Sequence, residues 1–375
     1  MKRFLIGVFV LIILGLCGWL VWEVEQPYQG YPGSQIVTIQ PGSTAQDITQ
    51  TLVDRGVLAY QIPFLARYGL GRERHRTLKA GEYQFDHPLS PADVYWKLAR
   101  GEVYLHAVVI PEGSDRFDLA RIFAADIGVS PKDFLDATAR PDLIRNLDPK
   151  APSLEGYLFP DTYLLPRGAP VREIVRTMLA RFRQVARQKL QLTFDPPPPN
   201  LHDFMTLASL VERETPNPAE RPMVAGVFTR RLQKGMPLQC DPTVTYAMRL
   251  LQGLPRLPSG APSHDDLSVD SPYNTYAHAG LPPGPICSPG EASIQAALHP
   301  APGDALYFVS NNHGGHYFAN TLEEQNRNVN RYRRQLKANT QGPTLSQPPP
   351  PAAKDENHPK ARGRQARKHA GSSKE

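Results

Sequence analysis

The sequence predicts an α+β protein with a single N-terminal transmembrane helix, a small α+β domain, a larger mixed α/β domain and a disordered C-terminal tail. Phe4 to Trp22 is a run of nineteen residues without a charge, long enough to cross a bilayer core. From residue 34 to residue 337 short alternating stretches are interleaved with capped, amphipathic helical ones. After residue 340 prolines and charges leave almost nothing apolar to bury. The expected segments are a cytoplasmic N-terminus (1–3), an anchor (4–22), a Pro/Gly linker (23–33), the small domain (34–113), the larger domain (114–337) and a Pro-rich basic tail (338–375).

The net charge of +6 is unevenly placed. Beyond residue 340 there are seven basic and three acidic side chains, and Lys2 and Arg3 supply the rest of the excess, so residues 4–339 are neutral. The body therefore lacks the basic face of a nucleic-acid binder. Because Lys2 and Arg3 precede the apolar run, the N-terminus is expected in the cytoplasm and the rest beyond an inner or plasma membrane, in a periplasm or its equivalent. No small-x-small cleavage site follows Trp22, and Leu16 stands before Cys17 where a lipoprotein signal wants a small residue, so an uncleaved anchor is expected. Three cysteines make no disulfide framework, and spacing leaves open whether Cys240 and Cys287 pair.

In the small domain, Ile36–Ile39 alternates like a strand, and Thr44 to Arg55 suggests a helix that ends at Gly56. A short helix over 61–69 and a strand over Gly81–Phe85 follow. Ser90-Pro91-Ala92-Asp93 is a helix start, with a cap, a first-position proline and a third-position acid. Residues 103–110 read as a strand. The early strand–helix–helix–strand order resembles a LysM-type glycan-binding module; a small α+β spacer with no ligand fits the same pattern.

Further along, Asp115 to Asp126 is amphipathic, and Leu154 to Tyr163 sets aromatic rings beside Glu155 and Asp161. Rings that cover sugar faces next to carboxylates that hold hydroxyls suit a glycan; a packed turn is the plainer reading. Val171 to Leu190 is a long helix with a basic face, and Asp195 to Asn200 is a stiff proline connector.

Asp203 to Thr215 reads as a helix, with Asp203 as its cap and Thr215-Pro216 as its stop. At about 100° per residue, Phe204, Leu207, Leu210 and Val211 share one face and Glu214 lies in its middle, while Glu212 points away beside Met205 and Ala208. A carboxyl on an apolar stripe loses hydration, which raises its pKa. That suits a general acid working near neutral pH. The alternative is a solvated Glu214 just past the helix end.

Asn217-Pro218-Ala219-Glu220 repeats the capped-start pattern, for a helix closed by Gly235. Gln239, Asp241 and Thr243 lie between prolines in an expected fixed loop leading to Tyr246. Tyr273 and Tyr276 flank Asn274, and the rigid run Gly280–Gly290 follows. Glu291 to Leu298 is a short helix, Leu306–Val309 and His316–Phe318 form a hairpin, and Thr321 with Glu324 caps a last helix to about Lys337. His313 and His316 sit in a Gly-rich turn without further spaced ligands, so no metal is read there, and no cofactor elsewhere.

Leu207-Ala-Ser-Leu-Val-Glu-Arg-Glu-Thr215, Gln239-Cys-Asp-Pro-Thr243, and Tyr273-Asn-Thr-Tyr276 followed by Gly280-Leu-Pro-Pro-Gly284 stand in order, with Glu155–Thr162 and Gly314-Gly-His316. Together they resemble the endolytic murein transglycosylases, the MltG (YceG-like) family, over about residues 36–335. Two features depart from it: Cys240, where the family more often has Ser or Thr, and the basic tail. The resemblance implies a LysM-like domain and a catalytic domain that cuts MurNAc-β-1,4-GlcNAc bonds inside nascent peptidoglycan strands. The cut leaves 1,6-anhydroMurNAc ends and would terminate strand elongation. It makes Glu214 the catalytic acid. Gln239, Asp241, Thr243, Tyr246, Tyr273, Asn274, Tyr276 and Glu155 are the candidates for holding the strand. Peptidoglycan and the inner membrane are the expected partners, and a link to cell-wall synthases rests on the resemblance alone. Two other readings stay open: a muramidase-type hydrolase, needing a second carboxylate such as Asp241 or Glu155, and a membrane-anchored, non-catalytic glycan-binding scaffold.

Overall fold

The computed structural model describes residues 2–72, 77–194, 196–252 and 262–340. The tail from residue 341 onward lies outside the described residues. Helix α1 (Lys2–Val24) buries none of its side chains and carries no charge from Phe4 to Trp22. Its 23 residues rise about 35 Å, enough to span a hydrocarbon core of about 30 Å.

The small unit comprises β1 (Gln35–Ile39), α2 (Ala45–Asp54), α3 (Gln61–Arg72), β2 (Gly81–Phe85) and α4 (Pro91–Arg100). β1 and β2 pair antiparallel, with Val37 opposite Tyr83. Their inward residues join Leu52, Phe64, Tyr95 and Leu98 in one core. Local chemistry sets the helix ends. Thr44 with Asp47 and Ser90 with Asp93 form reciprocal capping boxes, and Gly101 ends α4 in the left-handed region at φ 75°.

The next strand, β3 (Leu105–Val109), pairs antiparallel with β4 (Thr162–Pro166), 53 residues further on. Val108 and Ile110 enter the core of the larger unit, so this strand, expected within residues 34–113, is paired beyond them. Between β3 and β4 come α5 (Arg116–Ile127), capped by Asp115, and α6 (Pro131–Thr138), capped by Ser130. After β4 follow α7 (Val171–Gln188), α8 (Leu201–Glu214), α9 (Arg221–Gln233), α10 (Asp241–Gln252) and α11 (Glu291–Leu298). The chain then forms the hairpin β5 (Tyr307–Ser310) and β6 (His316–Ala319), and α12 (Leu322–Thr340). The strands thus form three separate two-stranded sheets among the described residues, and helices supply most of the larger core.

α8 is the axis of that core. It packs against α9, α10 and α11. Every residue from Phe204 to Val211 is buried, including Met205 and Ala208 on the face opposite the expected stripe. A helix apolar all round belongs inside a protein rather than on its surface.

Three boundaries differ from expectation. α8 starts at Leu201 after Asn200, and Asp203 lies in the first turn instead of capping it. α9 starts at Arg221: Asn217 Oδ1 accepts from the Ala219 N–H, making a local turn, and the Glu220 side chain is engaged elsewhere. Asp241-Pro242-Thr243 begins α10 rather than lying in a loop, which carries Thr243 and Tyr246 into the buried face of a helix.

Candidate active site

The end of α8, the start of α10 and the β5–β6 hairpin enclose a cleft of about 440 Å³. Its walls include Glu214, Arg231, Gln239, Asp241, Tyr276 and His316, with Phe308 and Gln325. Glu214 is half-buried: its carboxyl is packed round by protein while the residue keeps an opening to the cleft. Burial pushes its pKa up to about 7, and the charge of Asp241 pushes the same way. The Cys240 hydrogen bond, His316 and Arg231 pull against this and lose. The Cys240 thiol donates to Glu214 Oε2 at 3.3 Å.

The segment from Gln239 to Thr243 is held by a second strand of chain. Gln239 sits at φ 53°, where a non-glycine residue is strained, and its N–H donates to the Thr275 carbonyl at 3.1 Å. The Cys240 N–H donates to Thr275 Oγ1 at 3.0 Å, and the Thr243 hydroxyl donates to the Cys240 carbonyl at 2.7 Å. The Tyr276 hydroxyl donates to Asp241 Oδ1 at 2.5 Å. Behind them, Asn274 Nδ2 donates to the carbonyls of Leu267 and Val269 at 2.9 Å each, and its Oδ1 accepts from the Tyr276 N–H at 3.0 Å.

Of the sequence-derived candidates, the fold brings Glu214, Gln239, Asp241 and Tyr276 to one cleft. Thr243, Tyr246, Tyr273, Asn274 and Glu155 are buried and are not among its lining residues. Glu155 lies at the centre of a second polar cluster. Its Oε2 accepts from the Arg116 N–H and from the Tyr246 hydroxyl, both at 3.0 Å, with Arg116 Nε 3.6 Å away. Tyr246 and Tyr273 pack edge to face with centroids 5.1 Å apart. Burial, and then Asp115, raise the Glu155 pKa to about 7.

Glu212 also has partners of its own. Its Oε1 accepts from Arg221 Nη2 and its Oε2 from the Gly290 N–H, each at 3.0 Å, with the carboxyl almost wholly enclosed. Cys240 and Cys287 are both buried free thiols, and Cys287 donates to the Ser209 carbonyl at 3.3 Å. The two sulfurs serve different acceptors on α8 and are not bonded to each other.

Sequence reasoning did not pick out Arg231 or Gln325, and it weighed His316 only as a metal ligand. Arg231 is fixed by the carbonyls of Leu306, Pro237 and Leu238. Pro237 and Leu238 lie just past its helix, but Leu306 is 75 residues away, and a contact at that distance has no local signature. His316 closes the Gly314-Gly-His316 motif, one of those that carry the resemblance, and that motif marked the residue without giving it a role.

A carboxylic acid that keeps its proton near neutral pH, set in the wall of an open cleft, is the equipment of a general acid. The chain belongs to the YceG-like family, whose model matches residues 37–331. It is similar to the endolytic murein transglycosylase of Bacillus subtilis (strain 168), at 31% identity over 320 residues, which cover 79% of this chain and 84% of that protein. It is also similar to the endolytic murein transglycosylase of Streptococcus pneumoniae serotype 2 (strain D39), at 31% identity, covering 78% of this chain but 57% of that protein. A crystal structure of a YceG-like protein from Listeria monocytogenes is 33% identical, with a TM-score of 0.51, covering 78% of this chain and 98% of that chain.

Proposed function

We propose that this chain is an endolytic murein transglycosylase, a lyase that cuts peptidoglycan strands internally. The observation that carries the reading is Glu214: a carboxyl with a pKa of about 7 on the cleft wall of a chain that resembles proteins of that name. Protonated Glu214 gives its proton to the glycosidic oxygen between MurNAc and GlcNAc as the C1–O bond breaks. The carboxylate so formed takes the proton of the MurNAc C6 hydroxyl as that oxygen bonds to C1. The product is a 1,6-anhydro end, and Glu214 is protonated again.

Gln239, Asp241 and Tyr276 hold the strand from the same cleft. The buried Thr243, Asn274, Tyr246, Tyr273 and Glu155 keep the loops behind it in shape. Asp241 shares the cleft with Glu214, which supports one second reading: a hydrolase in which Asp241 serves as base or nucleophile. α1 anchors the chain in the inner membrane with its N-terminus in the cytoplasm, which the basic pair Lys2-Arg3 supports. The small unit serves as a LysM-like glycan-binding module, a role its β1-α2-α3-β2 order supports. Cell-wall synthases would be its neighbours, and cutting strands as they grow would limit their length.

Chromatography and mass spectrometry of digested peptidoglycan test this directly. The wild type should release 1,6-anhydroMurNAc ends and Glu214→Gln should release none. Reducing ends would establish the hydrolase, and an absence of any cleavage would leave a binding scaffold.

A further inference from the structure

The hairpin delivers an imidazole to the cleft, and the acid mechanism gives it no task. His316 opens β6. Its ring Nδ1 lies 2.7 Å from Glu220 Oε2, and its backbone N–H donates to Glu220 Oε1 at 2.9 Å. One carboxylate thus grips both the ring and the chain that carries it. The approach depends on Gly315, where a Cβ would stand 2.5 Å from Glu220 Oε1. Phe308 meets the imidazole edge to face, with centroids 5.3 Å apart and planes at 86°. The ring is therefore fixed in tilt and rotation by contacts from α9's N-terminal turn and from β5.

Glu220 also fixes where the ring proton sits. Burial pushes this carboxyl's pKa up, but the hydrogen bonds from His316 pull it below the usual glutamate value, so it is ionised and can only accept. Nδ1 must then carry a hydrogen, and in the neutral ring Nε2 is a bare acceptor. Nε2 makes no hydrogen bond among the described residues, and His316 lines the same cleft as Glu214 and Tyr276.

We propose that His316 orients the substrate: Nε2 accepts a hydrogen bond from a hydroxyl of the sugar bound beside Glu214. The inference rests on reading the cleft as a glycan site. An acceptor selects an O–H donor, which a sugar ring supplies at several positions. The hydroxyl keeps its proton in this contact. What His316 contributes is direction, holding the sugar so that the reacting oxygen faces Glu214.

The test combines nitrogen NMR of the full-length protein, carrying 15N-histidine in detergent, with kinetics. The free protein should show His316 with its proton on Nδ1 and none on Nε2. Adding a peptidoglycan tetrasaccharide to the Glu214→Gln variant should move the Nε2 resonance toward that of a hydrogen-bonded nitrogen. In the kinetic arm, His316→Phe keeps the ring stack and removes the acceptor. It should lower kcat on peptidoglycan about 10- to 100-fold, the scale of losing orientation, with a much smaller change in KM. His316→Gln, which keeps a donor for Glu220 and an acceptor for the sugar, should recover most of that loss. A proton found on Nε2, tetrasaccharide binding with no change at Nε2, or a folded Phe variant within about twofold of wild type overturns the proposal. If the Phe variant does not fold, the nitrogen signals decide by themselves. Full activity in Glu214→Gln would instead remove the acid mechanism, a separate failure that leaves the tautomer result readable.

Discussion

The Cys240 thiol donates a hydrogen bond to Oε2 of Glu214, the proposed acid. This bond is the largest influence opposing burial, but sulfur is a weak donor and the carboxyl keeps a pKa of about 7. A hydroxyl in its place would stabilise the carboxylate more. Cys240→Ser should therefore lower the pH at which kcat/KM falls by about half to one unit, the equivalent of a hydrogen bond worth ~1 kcal/mol. Cys240→Ala should move that pH upward. pH–rate profiles of both variants, against wild type, check this.

In the proposed mechanism Glu214 donates its proton, so wild-type kcat/KM should decline as pH rises through about 7. Glu214→Gln should lose about 10²- to 10⁴-fold in rate, the usual share of general acid–base assistance. Its residual rate should show no titration in that range.

Glu212 should behave as a structural residue despite standing two positions away. Its carboxylate neutralises the buried Arg221 and binds the Gly290 N–H. Glu212→Ala leaves that guanidinium buried with only Glu112 at 3.6 Å, and should cost about 3–5 kcal/mol in denaturant unfolding. The folded fraction of Glu212→Gln should cleave at a rate close to wild type.

Glu155 links stability to pH. Its folded pKa of about 7 stands above the ordinary 4.5, so between those values the folded state binds the proton that the unfolded chain releases. Stability should then fall as pH rises from about 4.5 to about 7 and stay lower above it. Asp115, at about 6, and Glu214 act in the same direction. Glu155→Gln should flatten the drop in Tm between pH 5 and pH 7.5 without removing it.

Both buried cysteines should be free thiols. Labelling without reductant should modify Cys240 and Cys287 only after denaturation, since each is enclosed and engaged with its own acceptor. Recovery of a Cys240–Cys287 crosslinked peptide would contradict this.

Local signals were readable where a local bond decides the structure. Ser90-Pro91-Ala92-Asp93 predicted α4 because its capping box is closed within four residues. The same pattern at Ser130-Pro131-Lys132-Asp133 starts α6 and was passed over although the signal was there. Asn217-Pro218-Ala219-Glu220 carries that pattern too, yet α9 starts later, because Glu220 is claimed by His316, 96 residues away. Periodicity set the direction of Glu214 on its helix but not its contrast with Glu212: Met205 and Ala208 on the opposite face are buried too, and the Glu212 carboxyl is almost wholly enclosed. Gln239, Asp241 and Tyr276 on the same wall as Glu214 were legible through their motifs, whereas Arg231 was not, because Leu306, 75 residues away, helps to fix it; the start of α10, hidden behind Asp241-Pro242, carries Thr243 into a helix where a loop was expected.

α8 ends on Glu214, and this placement acts through the backbone as well as through the neighbours. The carbonyls of a helix's last turn point along its axis and make that end the negative pole of the helix dipole. An anion formed there is repelled by the peptide groups that hold it in position. The preference for the protonated form is thus partly written into the main chain, where no exchange of Cys240, Asp241 or His316 can erase it. It depends instead on the last turn staying wound, as in the bond from the Thr215 N–H to the Val211 carbonyl. Fraying of that single turn would weaken the dipole at Glu214 and let its proton go, so the carboxyl's hold on its proton and the integrity of the turn rise and fall together.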